Sequence, residues 1–211
     1  MFAIVVDPVG DDVVKSMQRP GENITGVTSF DPQQPRKQLE LLKEVVPSLR
    51  RVAILADHGL SEPWLTAHEE QARALGLQPQ RLLIAEPNPD LEGVFAAIRQ
   101  AHADAVLMLQ EPVVVAHSKE IAELAAKDRL PTMFPQSLGG SGALIAYGTS
   151  VGDALRREAM YVDKILKGAK PGELPVETVT RYELILNLKT ARDIGATIPA
   201  ELIKRADKMI Q

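Results

Sequence analysis

Short apolar runs alternate along the chain with longer segments in which apolar residues recur every three or four positions. Most of the runs lack the apolar–polar alternation of a half-exposed antiparallel sheet, so both faces of each sheet should be covered, as in a parallel sheet. The runs predict strands at Phe2–Val6, Val52–Ala56, Arg81–Ile84, Ala105–Leu109, Thr132–Phe134, Ala143–Ala146 and Arg181–Leu188.

The periodic segments predict helices between these strands. In the clearest case, apolar residues stand at 91, 94, 95 and 98, which places them on one helical face. The predicted helices are Gln38–Val46, Pro63–Leu75, Leu91–Ala101, Ser118–Ala126 and Asp153–Leu166. Strands and helices in strict alternation, with short linkers, are typical of an α/β protein with parallel sheets flanked by helices.

Composition and charge exclude several classes of protein. The 211 residues include 24 Lys+Arg and 28 Asp+Glu, and the net charge of −4 makes a nucleic acid or an anionic membrane a poor electrostatic partner. The chain has no cysteine, which rules out disulfides, thiol catalysis and cysteine-bound metals. No basic stretch precedes the apolar start at Phe2, so no signal peptide is predicted in this chain.

Signatures of enzymes and of metal sites are weak. The turn at 139–142 lacks the last glycine of a nucleophile elbow and precedes a strand instead of a helix. The four histidines have no metal-binding spacing and are expected to be exposed residues on surface helices: His58, His68, His102 and His117. We therefore predict no catalytic residue, no metal site and no cofactor.

Polar residues gather where the predicted strands end. Asp7, Asp57 and Glu111 each close a strand, and the carboxyl ends of parallel strands meet at the edge where ligands bind. Acidic groups there favour a cationic group such as an ammonium, whereas nearby hydroxyls and helix N-termini favour an anionic group. The alternative is that each acid only caps the following helix. The predicted ligand-binding residues are Asp7, Ser29, Asp57, Ser61, Glu111, Tyr147 and Thr149.

Motifs spread over nearly the whole chain resemble the TrpX-like substrate-binding proteins of bacterial ABC importers, which have a type I periplasmic-binding-protein fold. The matching stretches are residues 7–10, 19–27, 39–47, 111–112, 147–148, 161–171, 174–177, 187–191 and 198–199. The resemblance implies a protein that is not an enzyme. It also implies that a small solute is held between two lobes, that the protein is periplasmic, and that the solute passes to the membrane subunits of an ABC permease. Together with the acidic strand ends, this favours an amino acid or a similar small amine-bearing solute.

The same resemblance predicts how the chain divides. Residues 1–49 and 147–174 would form a remnant of lobe I, and residues 50–146 and 175–211 would form lobe II. Lobe I is expected to be incomplete at the N-terminus, because family members carry a leader and further strand–helix units before the strand that begins at Phe2. Two alternatives remain open, a cytoplasmic small-molecule sensor of the same fold and an enzyme that uses paired carboxylates.

Overall fold

Strands and helices alternate in the computed structural model, which describes residues 1–5, 7–29, 31–85, 88–109 and 112–211. The strands are β1 (Phe2–Val5), β2 (Gly26–Thr28), β3 (Arg51–Asp57), β4 (Gln78–Ile84), β5 (Ala105–Met108), β6 (Thr132–Phe134), β7 (Ile145–Thr149), β8 (Glu177–Thr178), β9 (Tyr182–Asn187) and β10 (Lys208–Ile210). The helices are α1 (Gln34–Val45), α2 (Glu62–Ala74), α3 (Leu91–Gln100), α4 (Pro112–Ala116), α5 (Ser118–Lys127), α6 (Val151–Leu166), α7 (Leu188–Ile194) and α8 (Ala200–Arg205). This order confirms the predicted α/β class.

The ends of the predicted elements agree with the structure to within about four residues. Helix α1 and strand β4 begin four and three residues earlier than predicted, at Gln34 and Gln78. Strand β7 begins at Ile145, two residues later than predicted. Leu144 is fully buried, but its N–H donates to the side-chain oxygen of Thr132 at 2.9 Å, so burial there did not signal a strand. The predicted strand at Phe2 is observed as far as Val5, and Val6 lies outside the described residues.

A seven-stranded sheet in the order β10-β9-β7-β6-β5-β3-β4 carries the larger core. The packing of β3 on both faces explains why its sequence is continuously apolar. Val52, Ile54 and Ala56 pack in the cluster that includes α1 and α2, whereas Ala53 and Leu55 pack in the cluster that includes α3 and α5. β3 pairs in parallel with β4 on one side and β5 on the other. The prediction of a parallel sheet with both faces covered is therefore confirmed.

A second sheet holds three strands in the order β1-β2-β8, paired in parallel. Helix α6 packs against β1 and β2, with Ala154 and Tyr161 buried. Residues 167–175, the Pro/Gly-rich stretch after α6, are hydrogen-bonded to the same region. Thr25 donates its hydroxyl hydrogen to the carbonyl of Leu174 at 2.8 Å, and the Tyr161 hydroxyl donates to the carbonyl of Pro175 at 2.6 Å. That stretch therefore packs locally by specific hydrogen bonds.

The chain divides into two compact units. Unit 1 comprises Met1–Asp31 and Thr149–Tyr182, and unit 2 comprises Pro32–Gly148 and Glu183–Gln211. Unit 1 contains the three-stranded sheet and α6, and unit 2 contains the core of the larger sheet. The division into lobes that the resemblance implied, with boundaries after residues 49, 146 and 174, stays a prediction.

The expectation of exposed histidines is wrong for His68. His68 belongs to α2, and its side chain is buried on the inward face of that helix. Its Nδ1 donates to the carbonyl of Trp64 at 2.9 Å, and the centroids of the two rings lie 5.0 Å apart in an edge-to-face arrangement. Burial lowers the pKa of His68 to about 4, so the imidazole is neutral in the folded protein near neutral pH. Glu69 beside it is also buried and pairs with Arg81 at 2.7 Å.

Candidate functional site

The carboxyl edge of the larger sheet contains a hollow within unit 2. In the sheet, β3 lies between β4 and β5. After β3 the chain forms β4 on one side of it and then returns to form β5 on the other side, so the direction of strand addition reverses at β3. Open α/β sheets bind ligands outside the strand ends at such a switch point. A cavity of about 380 Å³ lies there, lined by Asp57, His58, Gly59, Ile84, Pro112 and Val113.

Asp57 contributes a carboxylate to the wall of this hollow, and it is 4% exposed. One carboxylate oxygen accepts the Gly59 N–H at 2.7 Å, and the other accepts the Val113 N–H at 3.0 Å. Asp57 makes no ion pair with any residue that the structure describes. Because a carboxylate offers about four acceptor positions, the two backbone donors leave capacity for a donor from a ligand.

The hydrogen bonds of Asp57 also bear on the alternative that the strand-end acids only cap helices. The helix after β3 is α2, and its N-cap residue is Ser61, so Asp57 does not cap it. Asp57 instead closes a tight turn at Gly59 and holds the beginning of α4, which follows β5. The carboxylate thus has a structural role that connects the ends of two neighbouring strands.

Two further predicted residues, Ser61 and Tyr147, belong to unit 2. Ser61 occupies the N-cap position of α2 without a capping bond from its hydroxyl. Tyr147 in β7 is half-buried against the core, and its carbonyl accepts the amide N–H of Gln38 at 3.1 Å. Glu111 lies outside the described residues. No bond places Ser61 or Tyr147 against Asp57, so their joint role stays a prediction.

The remaining predicted residues belong to unit 1. Asp7 accepts the Gly10 N–H at 2.9 Å, as expected for a carboxylate that stabilises a turn. Partial desolvation and the neighbouring Asp7 charge raise the pKa of Asp11. Ser29 follows β2 and is 9% exposed, and Thr149 is the last residue of β7. The ligand contacts predicted for Asp7, Ser29 and Thr149 stay predictions.

A group of glutamines near the ends of β6 and β7 was missed by the sequence reasoning. Gln136, just after β6, donates to Glu183 at 2.7 Å and lies close to Gly148. The side-chain oxygens of Gln38 and Gln136 are buried without a hydrogen-bond partner among the described residues. The sequence did carry a signal, since Gln38 stands within the apolar stripe of α1, where a polar residue is unusual.

The described residues contain no group of three or more acidic or histidine side chains that could hold a metal ion. Within the same ranges, every helix is too short or too polar to cross a bilayer. The described residues of the site offer a buried carboxylate and backbone groups beside an apolar wall, an arrangement suited to binding a small polar molecule.

The chain shares its fold with solved structures and its sequence with a known family. The parallel sheets flanked by helices form a type I periplasmic-binding-protein-like fold, which the solved structures share. The sequence profile described as ABC transporter substrate binding protein matches residues 1–210, and the chain belongs to that family. It is a family of proteins that bind small-molecule solutes such as amino acids, and its members are typically extracellular or periplasmic.

Individual relatives are distant in sequence and close in fold. A conserved domain protein from Vibrio cholerae is 25% identical with a TM-score of 0.90, over 99% of this chain and 70% of that chain. A Streptococcus pneumonia ABC domain in complex with L-Trp is 22% identical with a TM-score of 0.86, over the same shares. The tyrosine-binding protein of Clostridioides difficile strain R20291 is 20% identical over 91% of this chain, which spans only 55% of that protein's length.

Proposed function

We propose that this protein is the solute-binding component of a bacterial ABC importer. It binds an amino acid or a similar small amine-bearing solute between the two lobes predicted from the sequence, and it delivers the solute to the membrane subunits of the permease. Its place of action is the periplasm. Membership of the substrate-binding family supports the general role, and the chemistry of Asp57 supports the class of solute.

The observation that carries the proposal is a buried carboxylate without a cationic partner among the described residues. Removing a carboxylate from water is costly unless donors or a cation compensate for the lost hydration. Two backbone N–H groups compensate in part, and a ligand ammonium would supply the missing positive charge. Ile84 and Val113 in the wall of the same hollow provide apolar contact for the rest of the solute.

The names of two relatives support the same class of solute. One is a tyrosine-binding protein, and another was crystallised with L-Trp. Both ligands are aromatic amino acids that carry an ammonium and a carboxylate. L-Tryptophan and L-tyrosine are therefore the first ligands to test, followed by the other amino acids.

Thermal unfolding of the 211-residue chain tests the proposal. A ligand that binds only the folded state at about 100 times its Kd stabilises it by about 2.7 kcal/mol and raises the midpoint by several degrees. Analogues identify the group that is recognised. Tryptamine keeps the ammonium of tryptophan, whereas N-acetyl-L-tryptophan and indole-3-propionate lack it. If Asp57 holds the ammonium, both compounds without it should fail to raise the midpoint.

Two matched variants separate the parts of the proposal. Asp57→Asn should remove the ligand-induced shift, whereas Asp90→Asn should keep it, because Asp90 bonds a backbone N–H in a similar way at the exposed start of α3. Normal binding by Asp57→Asn would contradict the role of the carboxylate and leave the importer role standing. No shift with any amino acid would contradict the class of solute.

A further inference from the structure

A second hollow in unit 2 lies at the amino edge of the larger sheet, where β3 and β5 begin. Its volume is about 350 Å³. β3 begins beside this hollow at Arg51 and ends at Asp57, the carboxylate of the candidate site. The seven residues of β3 extend over about 20 Å, so the two hollows are separate. Three basic residues line the second one: Arg51, Arg99 and His102.

The two helices that end beside this hollow, α3 and α5, end with a strained residue. The first residue beyond each helix has a left-handed backbone and is followed by backbone bonds that close the helix. It is His102 after α3, with φ 52°, and Arg129 after α5, with φ 55°. Glycine is favoured at this position because a Cβ crowds the backbone there. Three other helices do carry glycine at the corresponding position: Gly76 after α2, Gly168 after α6 and Gly195 after α7.

The preference of helix ends for positive charge does not explain these two residues. Cations in the last turn interact favourably with the helix dipole, but α3 and α5 already carry Arg99 and Lys127 there. Helices α2, α6 and α7 combine a basic residue in the last turn with glycine beyond it. His102 and Arg129 are therefore additional basic groups, which the fold holds in an unfavourable conformation at one place. Strain of this kind is concentrated at functional sites.

The two carboxylates in the wall of the hollow are already engaged. One oxygen of Asp104 accepts the backbone N–H groups of Arg50 and Arg51 at 2.9 and 2.8 Å. Asp128 accepts a hydrogen bond from Arg99 at 2.7 Å. These bonds connect the beginnings of two strands and the ends of two helices, so the wall is held by specific contacts.

The guanidinium of Arg51 has no carboxylate partner among the described residues. Its Nε donates to the carbonyl of His102 at 2.7 Å, which fixes the side chain and leaves both terminal NH₂ groups for a ligand. Such a planar group matches the oxygens of a phosphate or a carboxylate. Arg50 and Arg129 lie beside the wall, so four arginines accompany two aspartates at this edge of a chain whose net charge is −4.

We propose that this hollow is a second binding site, which takes a small molecule that carries a phosphate or carboxylate group. Arg51 and Arg99 hold the oxyanion, and the ring of His102 donates a further hydrogen bond to it. Ala103 and Leu130, which are half-buried in the same wall, contact the apolar part of the molecule. The volume is that of a small-molecule site. The inference does not depend on the solute that binds at the carboxyl edge.

Thermal unfolding of the 211-residue chain with inorganic phosphate, pyrophosphate or citrate tests the proposal, with chloride keeping the ionic strength equal. An anion at about ten times its Kd should raise the midpoint by about 3 to 6 °C. Comparison of citrate with the two phosphates identifies which oxyanion is preferred. Arg51→Gln should reduce the shift to about 1 °C. Arg36→Gln, which removes an exposed arginine of α1 that pairs with Glu40, should keep the full shift.

Glycine variants separate ligand binding from a purely structural role. Without anion, His102→Gly and Arg129→Gly should each raise the midpoint by about 2 to 4 °C, because glycine relieves the left-handed strain. His102→Gly should also lose at least half of the shift that the anion produces. If it is stabilised by the anions as much as the natural chain, the histidine only ends a helix and the proposal is overturned. A natural chain whose midpoint none of the three anions raises also overturns it, and so does a shift that Arg51→Gln retains.

Discussion

The carboxylate of Asp57 accepts a hydrogen bond from the backbone N–H of Val113 at 3.0 Å. Asp57 ends β3, and Val113 is in α4, which follows β5, so the bond connects the ends of two neighbouring parallel strands. These strand ends form the wall of the hollow at the carboxyl edge. The geometry of the candidate site therefore depends on one buried side chain that also bonds Gly59.

Replacing Asp57 with alanine should destabilise the protein as well as impair binding. The variant leaves the buried N–H of Val113 without its acceptor, at a cost of about 2 to 4 kcal/mol in the free energy of unfolding. Asp90→Ala, which removes an exposed helix cap, should cost about 1 kcal/mol. Urea unfolding at neutral pH measures both values. Equal effects of the two substitutions would show that the Asp57 bond is no more than an ordinary cap.

Protonation of His68 should weaken the fold in mild acid. The pKa of His68 is lowered from 6.5 to about 4, so between these values the unfolded chain binds a proton that the folded chain does not. The free energy of unfolding therefore falls as pH drops through this window, by about 3 kcal/mol in total. Urea titrations followed by the fluorescence of Trp64, the only tryptophan, measure this dependence.

Two variants separate the effect of His68 on the free energy of unfolding from the effect of carboxylates that titrate over part of the same pH range. His68→Leu has similar volume and no proton to gain, so its stability should change less between pH 7 and pH 4. The change in the free energy of unfolding between pH 7 and pH 4 should be smaller than that of the natural chain by about 3 kcal/mol. His102→Asn alters an exposed histidine and should keep the full dependence. If His68→Leu also keeps it, another group is responsible.

The buried carboxylate of Glu69 should contribute to stability through its two arginines. Hydrogen bonds from Arg81 and then Arg73 hold the pKa of Glu69 below its usual value, against the opposing effect of burial. This contribution is present above the ordinary glutamate pKa and is lost as pH falls through the lowered one. Glu69→Gln should cost about 1 to 3 kcal/mol at pH 7.

The exposed pair between Glu201 and Lys204 provides the comparison for Glu69. Glu201→Gln should change the free energy of unfolding by less than about 0.5 kcal/mol, because surface pairs contribute little. Chemical denaturation of both variants at pH 7 makes the test. A small effect of Glu69→Gln, equal to that of Glu201→Gln, would contradict a stabilising role for the buried network.

Gly26 should tolerate no side chain, because β1 and β2 approach closely there. A Cβ at this position would overlap the carbonyl oxygen of Phe2, its partner in the parallel pairing. Gly26→Ala should destabilise unit 1 by about 1 to 3 kcal/mol and speed hydrogen exchange at Val27 and Thr28. Gly140→Ala, which meets no neighbouring atom within 4 Å, should leave that exchange unchanged. Equal exchange in both variants would show that β1 and β2 are not closely paired.

Several features of the fold could be predicted from local patterns. Helix α3 and strand β6 were predicted to within one residue, because periodicity and β-branched content act over a few neighbouring positions. The buried state of His68 was missed, although the sequence carried the signal. Leu65, His68, Glu69 and Ala72 share one face of α2, so the two polar residues stand within the apolar stripe. Position on the helix, more than residue type, decides burial on this face.

The alternation of apolar runs and amphipathic helices was enough to determine an α/β protein with covered parallel sheets, and residue motifs were enough to indicate its family. Both follow from interactions between residues close together in the chain or from ordered sequence signatures. Only the tertiary structure decided that Asp57 bonds Val113, 56 residues away, and that Thr25 bonds Leu174, 149 residues away. Such facts depend on which distant segments fold against each other, and residue spacing along the chain does not specify those contacts.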